Sequence, residues 1–268
     1  MEKDKTAWEV VTLARHPKRP TSTTLIQTIF PDFIELHGDQ TFGDDSAFIT
    51  GIASIHGLPI TIIAQEKGKT TEEKIKRNFG MPHPEGYRKA LRLAKQAEKF
   101  SRPVLFIIDT PGAYPGIGAE ERGQATMIAK SIQAYFQLKT PSISVILSEG
   151  GSGGALAIGI ADRVWMFENA TYSILSPEGF ASILYKDSSL AKEAAQNMKL
   201  TSKDLFQFGM IDKIIREPEL GLHTSHKEIF SCFGDDLYTE FKKLLEIPIS
   251  QLLEERYEKY RKFGHFSG

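Results

Sequence analysis

Two stretches of the chain run from apolar, strand-like positions into glycine-rich loops. Residues 142–147 (SISVIL) pass from polar–apolar alternation into a β-branched apolar run, the pattern of a buried strand. Ser148-Glu149-Gly150-Gly151-Ser152-Gly153-Gly154 follows, and Ala155-Leu156-Ala157-Ile158 begins a small-residue helix. Upstream, residues 104–108 predict another strand. Asp109-Thr110-Pro111-Gly112-Ala113-Tyr114-Pro115-Gly116-Ile117-Gly118 then forms a loop before a helix over residues 119–136. Two consecutive strand–loop–helix units imply a parallel sheet with right-handed crossovers. Ligands gather at the carboxyl ends of such strands, and both glycine loops fall on that edge.

The rest of the pattern frames these units. Residues 8–14 and 24–33 predict short helices, the second broken at Pro31. Residues 47–55 and 58–64 predict a hairpin turning at His56-Gly57. In the helix over 87–100, Tyr87, Ala90, Leu91, Ala94, Ala97 and Phe100 share one face, with Arg88, Lys89, Arg92, Lys95 and Lys99 opposite. Short strands are expected at 163–168, 171–175 and 210–215, and helices at 180–185, 191–198 and 202–208. The tail predicts two amphipathic helices, 235–246 and 250–263, split by Pro248. Their stripes (Leu237, Phe241, Leu244; Leu252, Leu253, Tyr257, Tyr260) suit docking on this chain or on a partner. The expected division is 1–34 as an N-terminal helical segment, 35–225 as the core and 226–268 as a helical tail.

Composition narrows the chemistry. With 268 residues the chain can bury a full core, and a net charge of −1 implies no nucleic-acid or membrane-surface field. The single cysteine, Cys232, excludes an intrachain disulfide framework and a cysteine-rich metal site. No signal-peptide h-region follows Met1, and no apolar run approaches the roughly 18 residues of a membrane span. Zinc in this chain is not expected.

The glycine turn admits several readings. Helix-start amides without intrahelical partners, together with the helix dipole, suit an anion or a developing oxyanion. A phosphate-binding P-loop needs Lys-Ser/Thr after its last glycine, and Ala155-Leu156 stand there instead. A dinucleotide fingerprint fits Gly151 and Gly153 but fails at Leu156. Gly150-Gly151-Ser152-Gly153-Gly154 does satisfy G-x-S-x-G, the nucleophile elbow of serine hydrolases. Asp204, Asp212, His223, His226 and His265 are available to complete a triad. Ser152 equally suits a helix N-cap, and the glycines equally suit close strand–helix packing. Residues 16–20 read as a solvated basic loop. Residues 65–80, with Lys67, Lys69, Lys74, Lys76 and Arg77 among three glutamates, read as an exposed segment or as a flank meeting a phosphate or an acidic carrier protein.

Several motifs, in order, resemble the alpha subunit of bacterial acetyl-CoA carboxylase carboxyltransferase. They are Asn78-Phe79-Gly80-Met81-Pro82-His83-Pro84-Glu85-Gly86-Tyr87-Arg88-Lys89-Ala90, the loop from Asp109 to Gly116, the segment from Glu149 to Ala157, Asp162-Arg163-Val164, and Ser176-Pro177-Glu178-Gly179. The resemblance implies a crotonase-type α/β fold of stacked β-β-α units. It implies transfer of a carboxyl group from carboxybiotin to acetyl-CoA, giving malonyl-CoA for fatty-acid synthesis in the cytoplasm. By that analogy the amides of Gly153 and Gly154 form the oxyanion hole, while Gly116, Ile117, Gly150 and Gly151 line the carboxybiotin pocket. Enoyl hydratases of the wider superfamily carry two catalytic glutamates; here Ala155 replaces one and Glu178 matches the other, so water addition is not expected. The resemblance also implies partners: a beta subunit in an α2β2 assembly, bringing a zinc ribbon and most of the acetyl-CoA site; a biotin carboxyl carrier protein; and a biotin carboxylase that uses ATP. This chain itself would hold no permanent cofactor or metal.

Overall fold

The structure, a computed structural model, describes residues 5–264. α1 (Ala7–Ala14) starts in a capping box, in which Thr6 Oγ1 accepts from Glu9 N and the Glu9 carboxylate accepts from Thr6 N. α2 (Ser22–Ile29) stops short of Pro31, and β1 (Ile34–Glu35) follows. β2 (Phe48–Ile55) and β3 (Leu58–Gln65) form the expected antiparallel hairpin. His56 (φ 47°) and Gly57 (φ 80°) are both left-handed at its turn, as a tight two-residue connection matching the strand twist demands. α3 (Thr71–Lys76) is a surface helix, and α4 (Pro84–Lys99) begins with proline at its first turn, where no amide is needed.

β4 (Val104–Thr110) leads to α5 (Ile117–Glu121) and α6 (Gln124–Phe136). The single helix expected there is broken at Gly123, which adopts φ 86°. β5 (Ser142–Gly151) passes into α7 (Ser152–Leu156); β6 (Arg163–Phe167), β7 (Thr171–Ser173) and α8 (Pro177–Phe180) follow. After a π-helical turn at Ala181–Tyr185 come α9 (Ala191–Met198), α10 (Ser202–Gln207) and β8 (Lys213–Ile215). α11 (Lys227–Leu245) and α12 (Ile249–Arg261) close the chain.

The sheet order is β1-β2-β3-β4-β5-β6-β8, with β7 also pairing β5. From β3 to β8 every pairing is parallel. Parallel strands buried on both faces read as nearly continuous apolar runs, and every residue of β4 is buried. The carboxyl ends of β3, β4 and β5 therefore lie side by side.

Several expectations change. Lys89, placed on the polar face of α4, is fully buried, its ammonium donating to Asp45 O (2.7 Å), Phe48 O (2.9 Å) and Asp44 Oδ1. Phe100, placed on the apolar face, follows the last helical residue and is 58% exposed. The tail helices dock on this chain: Phe230, Phe233, Leu237, Phe241, Leu244 and Leu252 join the same buried cluster as β2–β6. Tyr257, assigned to the α12 stripe, is exposed, while neighbouring Arg256 is buried. Among the described residues no helix is long and apolar enough to cross a membrane.

Candidate active site

The strand expected to end at Leu147 continues to Gly151. β7 lies alongside the extension, pairing Glu149 with Thr171, Gly150 with Tyr172 and Gly151 with Ser173, while Thr110 of β4 pairs Gly150 from the other side. The turn thus begins at Ser152, not at Ser148. Each glycine has a separate cause. A Cβ on Gly150 would meet the Tyr172 ring at 2.7 Å, and one on Gly151 would strike the Pro111 backbone. One on Gly154 would lie 2.5 Å from Ala113 N and 2.6 Å from Gly112 C. The two glycine loops are therefore pressed together backbone to backbone, which only residues without side chains allow. Gly153 is different: a Cβ there meets only Ile128 carbons, at 3.6 and 3.7 Å, an ordinary contact. Packing within this chain does not require glycine at that position.

Ser152 is exposed and left-handed, with φ 54°. It is not an N-cap: that position belongs to Gly151, and no side chain caps α7. Nor does the structure assemble a triad around it. Asp204 accepts from Thr201 Oγ1 at 2.6 Å, Asp212 accepts from Val164 N and pairs with Lys259, His223 stacks on His16 at 3.8 Å, and His226 lies against Phe230. His265 lies outside the described residues. The amides of Ser152, Gly153 and Gly154 stand in the first turn of α7, where no intrahelical acceptor exists. The Gly154 carbonyl, facing the other way, accepts from Gln65 Nε2 at 2.8 Å and so anchors the turn to β3.

Behind the turn runs a chain of charges. Lys67 Nζ lies 2.7 Å from Asp109 Oδ1 and 3.0 Å from Glu149 Oε2; Arg15 Nε lies 2.7 Å from Glu149 Oε1, and its Nη1 lies 2.7 Å from Glu178 Oε1. Burial alone would lower the Lys67 pKa, but the two carboxylates outweigh it and hold the ammonium protonated. Burial pushes Glu149 and Glu178 upward, but Lys67 and Arg15 hold Glu149 ionised and Arg15 holds Glu178 ionised. Glu178 is therefore a tethered carboxylate, poorly suited to donating a proton. Sequence reasoning missed Arg15 and Glu149, because an arginine at a helix end beside His16-Pro17 carries no pattern pointing to a partner 134 residues away. It also misplaced Arg19, read as solvated: Arg19 is buried, with Nη2 2.6 Å from Glu217 and 2.7 Å from Leu147 O.

The other expected site residues divide. Gly150 and Gly151 line a narrow cleft of about 30 Å³ with Pro111, Leu175 and Pro177. Gly116 caps α5 against the Tyr114 ring, and Ile117 is 81% exposed at the start of that helix. The part of the loop in contact with the turn is 111–113, three residues quoted in the motif but not singled out as site residues.

A family model described as acetyl co-enzyme A carboxylase carboxyltransferase-like matches residues 2–264. Over 257 residues the chain is 56% identical to the acetyl-coenzyme A carboxylase carboxyl transferase subunit alpha of Clostridium botulinum, covering 96% of this chain and 94% of that protein. The chain belongs to the carboxyltransferase alpha-subunit family of acetyl-CoA carboxylase. A relative in that family, from Clostridium tetani, is named subunits beta/alpha; it is 52% identical over 260 residues, covering 97% of this chain and 45% of that protein. Among solved structures, transcarboxylase 12S superposes with a TM-score of 0.65 at 20% identity, over 88% of this chain and 46% of that one. That likeness shows the fold, the crotonase-type carboxyltransferase arrangement, with this chain spanning about half of the transcarboxylase chain.

Proposed function

We propose that this chain is the alpha subunit of a carboxyltransferase that moves a carboxyl group from carboxybiotin, borne on a carrier protein, to acetyl-CoA. The observation that carries the reading is Gly153, a glycine at the start of a helix whose missing side chain nothing in the chain fills. An open amide beside a bare Cα is where an oxygen-bearing ligand approaches the backbone most closely. When bound, carboxybiotin supplies the activated carboxyl group, and negative charge gathers on its ureido oxygen as that group leaves.

The chain's own residues then have defined tasks. The Gly153 and Gly154 amides donate to that oxygen, each such donor being worth about 10²–10³ in rate. Loop 111–113 and Gln65 fix the turn so that the amides need not reorganise. Lys67 and Arg15 neutralise Glu149, the carboxylate next to the turn, which would otherwise repel the developing charge. Gly150 and Gly151, with Gly116 and Ile117 from the neighbouring loop, border the pocket. The beta subunit completes the site with most of the acetyl-CoA contacts and the zinc ribbon, in an α2β2 assembly. The fused beta/alpha relative supports a functional pairing of the two subunits. A separate biotin carboxylase uses ATP to load the carrier, and the pathway served is cytoplasmic fatty-acid synthesis.

The test is reconstitution. Malonyl-CoA decarboxylation with biocytin should appear when the chain is mixed with its beta subunit and be absent with either alone. No activity at any ratio of two folded subunits would sink the reading.

A further inference from the structure

A separate cavity of about 220 Å³ shares the Glu149–Arg15 wall; Arg15, His16, Arg19, Thr21, Lys67 and Lys74 line it, together with Asp109 and Glu149. Its two carboxylates are already engaged. Glu149 commits one oxygen to Arg15 and the other to Lys67, and Asp109 is held by Lys67. Donors remain in excess. Lys74, half-buried on α3, makes no ion pair among the described residues. Lys67 has a third ammonium proton beyond its two carboxylate partners. Thr21 is 7% exposed, and its buried hydroxyl has no hydrogen-bond partner among the described residues. A buried hydroxyl left in that state has lost its hydration without recompense, so it calls for an acceptor.

Burial lowers the His223 pKa, and His16, Arg19 and Lys18 lower it further while Glu217 raises it; burial, Lys227 and Lys69 lower that of His226. His223 is stacked on His16, which is itself part of the cavity wall. The cavity therefore offers ammonium, guanidinium and hydroxyl donors, with its two carboxylates paired to Lys67 and Arg15. Its volume matches about seven waters, enough for one tetrahedral oxyanion and part of its hydration shell.

We propose that this cavity binds a phosphate group, free or as a phosphomonoester, through Lys74, Lys67, Arg15 and Thr21. The site is distinct from the glycine turn, and the proposal stands or falls by direct binding, whatever the chain catalyses. The test titrates the full-length folded chain with inorganic phosphate, followed by phosphorus NMR. Saturable binding is expected. Lys74→Glu should weaken it about tenfold or more, the size of a lost charge-assisted contact. Lys95→Glu, an equal charge change on an exposed position of α4 outside the cavity wall, should leave it unchanged. Thr21→Val should weaken binding several-fold while the Tm holds or rises, because it removes an unpartnered hydroxyl. Displacement of phosphate by coenzyme A would assign the site to a phosphate of that coenzyme, and retention would assign it to a smaller phosphate; either result supports the site. Absence of saturable binding, equal losses in Lys74→Glu and Lys95→Glu, or full binding by Thr21→Val would overturn it.

Discussion

Gly154 lies so close to Ala113 that a Cβ on it would come within 2.5 Å of the Ala113 nitrogen, whereas one on the adjacent Gly153 finds only ordinary contact with Ile128. Neighbouring glycines in one turn therefore have different reasons to exist, and substitution separates them. Gly154→Ala drives a methyl group into fixed backbone and should cost about 1–3 kcal/mol or more of stability. Gly153→Ala sits in a helical turn with space around it and should be neutral or stabilising by about 0.5–1 kcal/mol. Yet Gly153→Ala should slow turnover, and Gly153→Val should abolish it while the α–β assembly forms normally. Urea unfolding alongside the decarboxylation assay reads both axes. Normal turnover in Gly153→Val would remove the oxyanion hole from this turn.

Ser152 looks like a nucleophile and has the backbone of one, left-handed at the sharp point of a strand–helix turn. It lacks the rest of the machinery, since the available aspartates and described histidines are engaged elsewhere. A fluorophosphonate probe should leave the chain unlabelled, and Ser152→Ala should keep turnover within a few-fold of the parent. Labelling that disappears in Ser152→Ala would restore the hydrolase reading.

Much of this arrangement was legible in the sequence. Apolar runs ending in glycine announced both β4 and β5, the hairpin turn was visible at His56-Gly57, and the ordered motifs pointed to the family. What escaped was carried by single charged residues with distant partners. Lys89 and Arg19 sit where helical periodicity or basic character reads as solvent, and Arg256 interrupts the apolar stripe of α12 without a pattern naming its partner; each is buried against carbonyls or carboxylates far along the chain. Local pattern registers a charge but not its partner. The extension of β5 to Gly151 escaped for a related reason: glycine disfavours a strand locally, and only pairing with β7 and with Thr110 of β4 makes it one.

Arg256 is the largest of these surprises. Its guanidinium lies 2.7 and 2.9 Å from the two oxygens of Asp162 and donates to Tyr135 O and Leu138 O at 2.8 Å each, with the side chain 0% exposed. One residue of α12 thereby closes the end of α6 and the β5–β6 connection. Arg256→Met leaves the buried Asp162 carboxyl group without its guanidinium partner and should cost about 3–5 kcal/mol, the usual penalty for breaking a buried pair from one side. Arg256→Met/Asp162→Asn should recover part of that loss. Urea unfolding measures both; a loss below about 1 kcal/mol in the single variant would show that the tail is held by its apolar stripe alone.

Acid sensitivity should trace in part to Asp39, a buried carboxylate far from any expected chemistry. Its Oδ1 accepts from the amides of Thr41, Phe42 and Gly43 at 2.8–2.9 Å, and its Oδ2 accepts from Arg88 Nε at 2.7 Å. Burial pushes its pKa up, but the three amides and the guanidinium together outweigh that and bring it from 3.8 to about 2. Because the folded value lies below the unfolded one, the unfolded chain takes up the proton first as acid is added. The stabilisation is therefore full above the ordinary carboxylate range and drains away as pH falls from about 4 towards 2. A displacement of that size corresponds to about 2 kcal/mol. Asp39→Asn should be less stable than the parent by roughly that amount at neutral pH, and the gap should close on acidification. Asp44, held low by Lys89 against its own burial, acts in the same direction but is common to both proteins and cancels in the difference. A gap that stays constant from neutral pH to pH 2 would mean that the Asp39→Asn variant is weakened through lost geometry rather than lost charge.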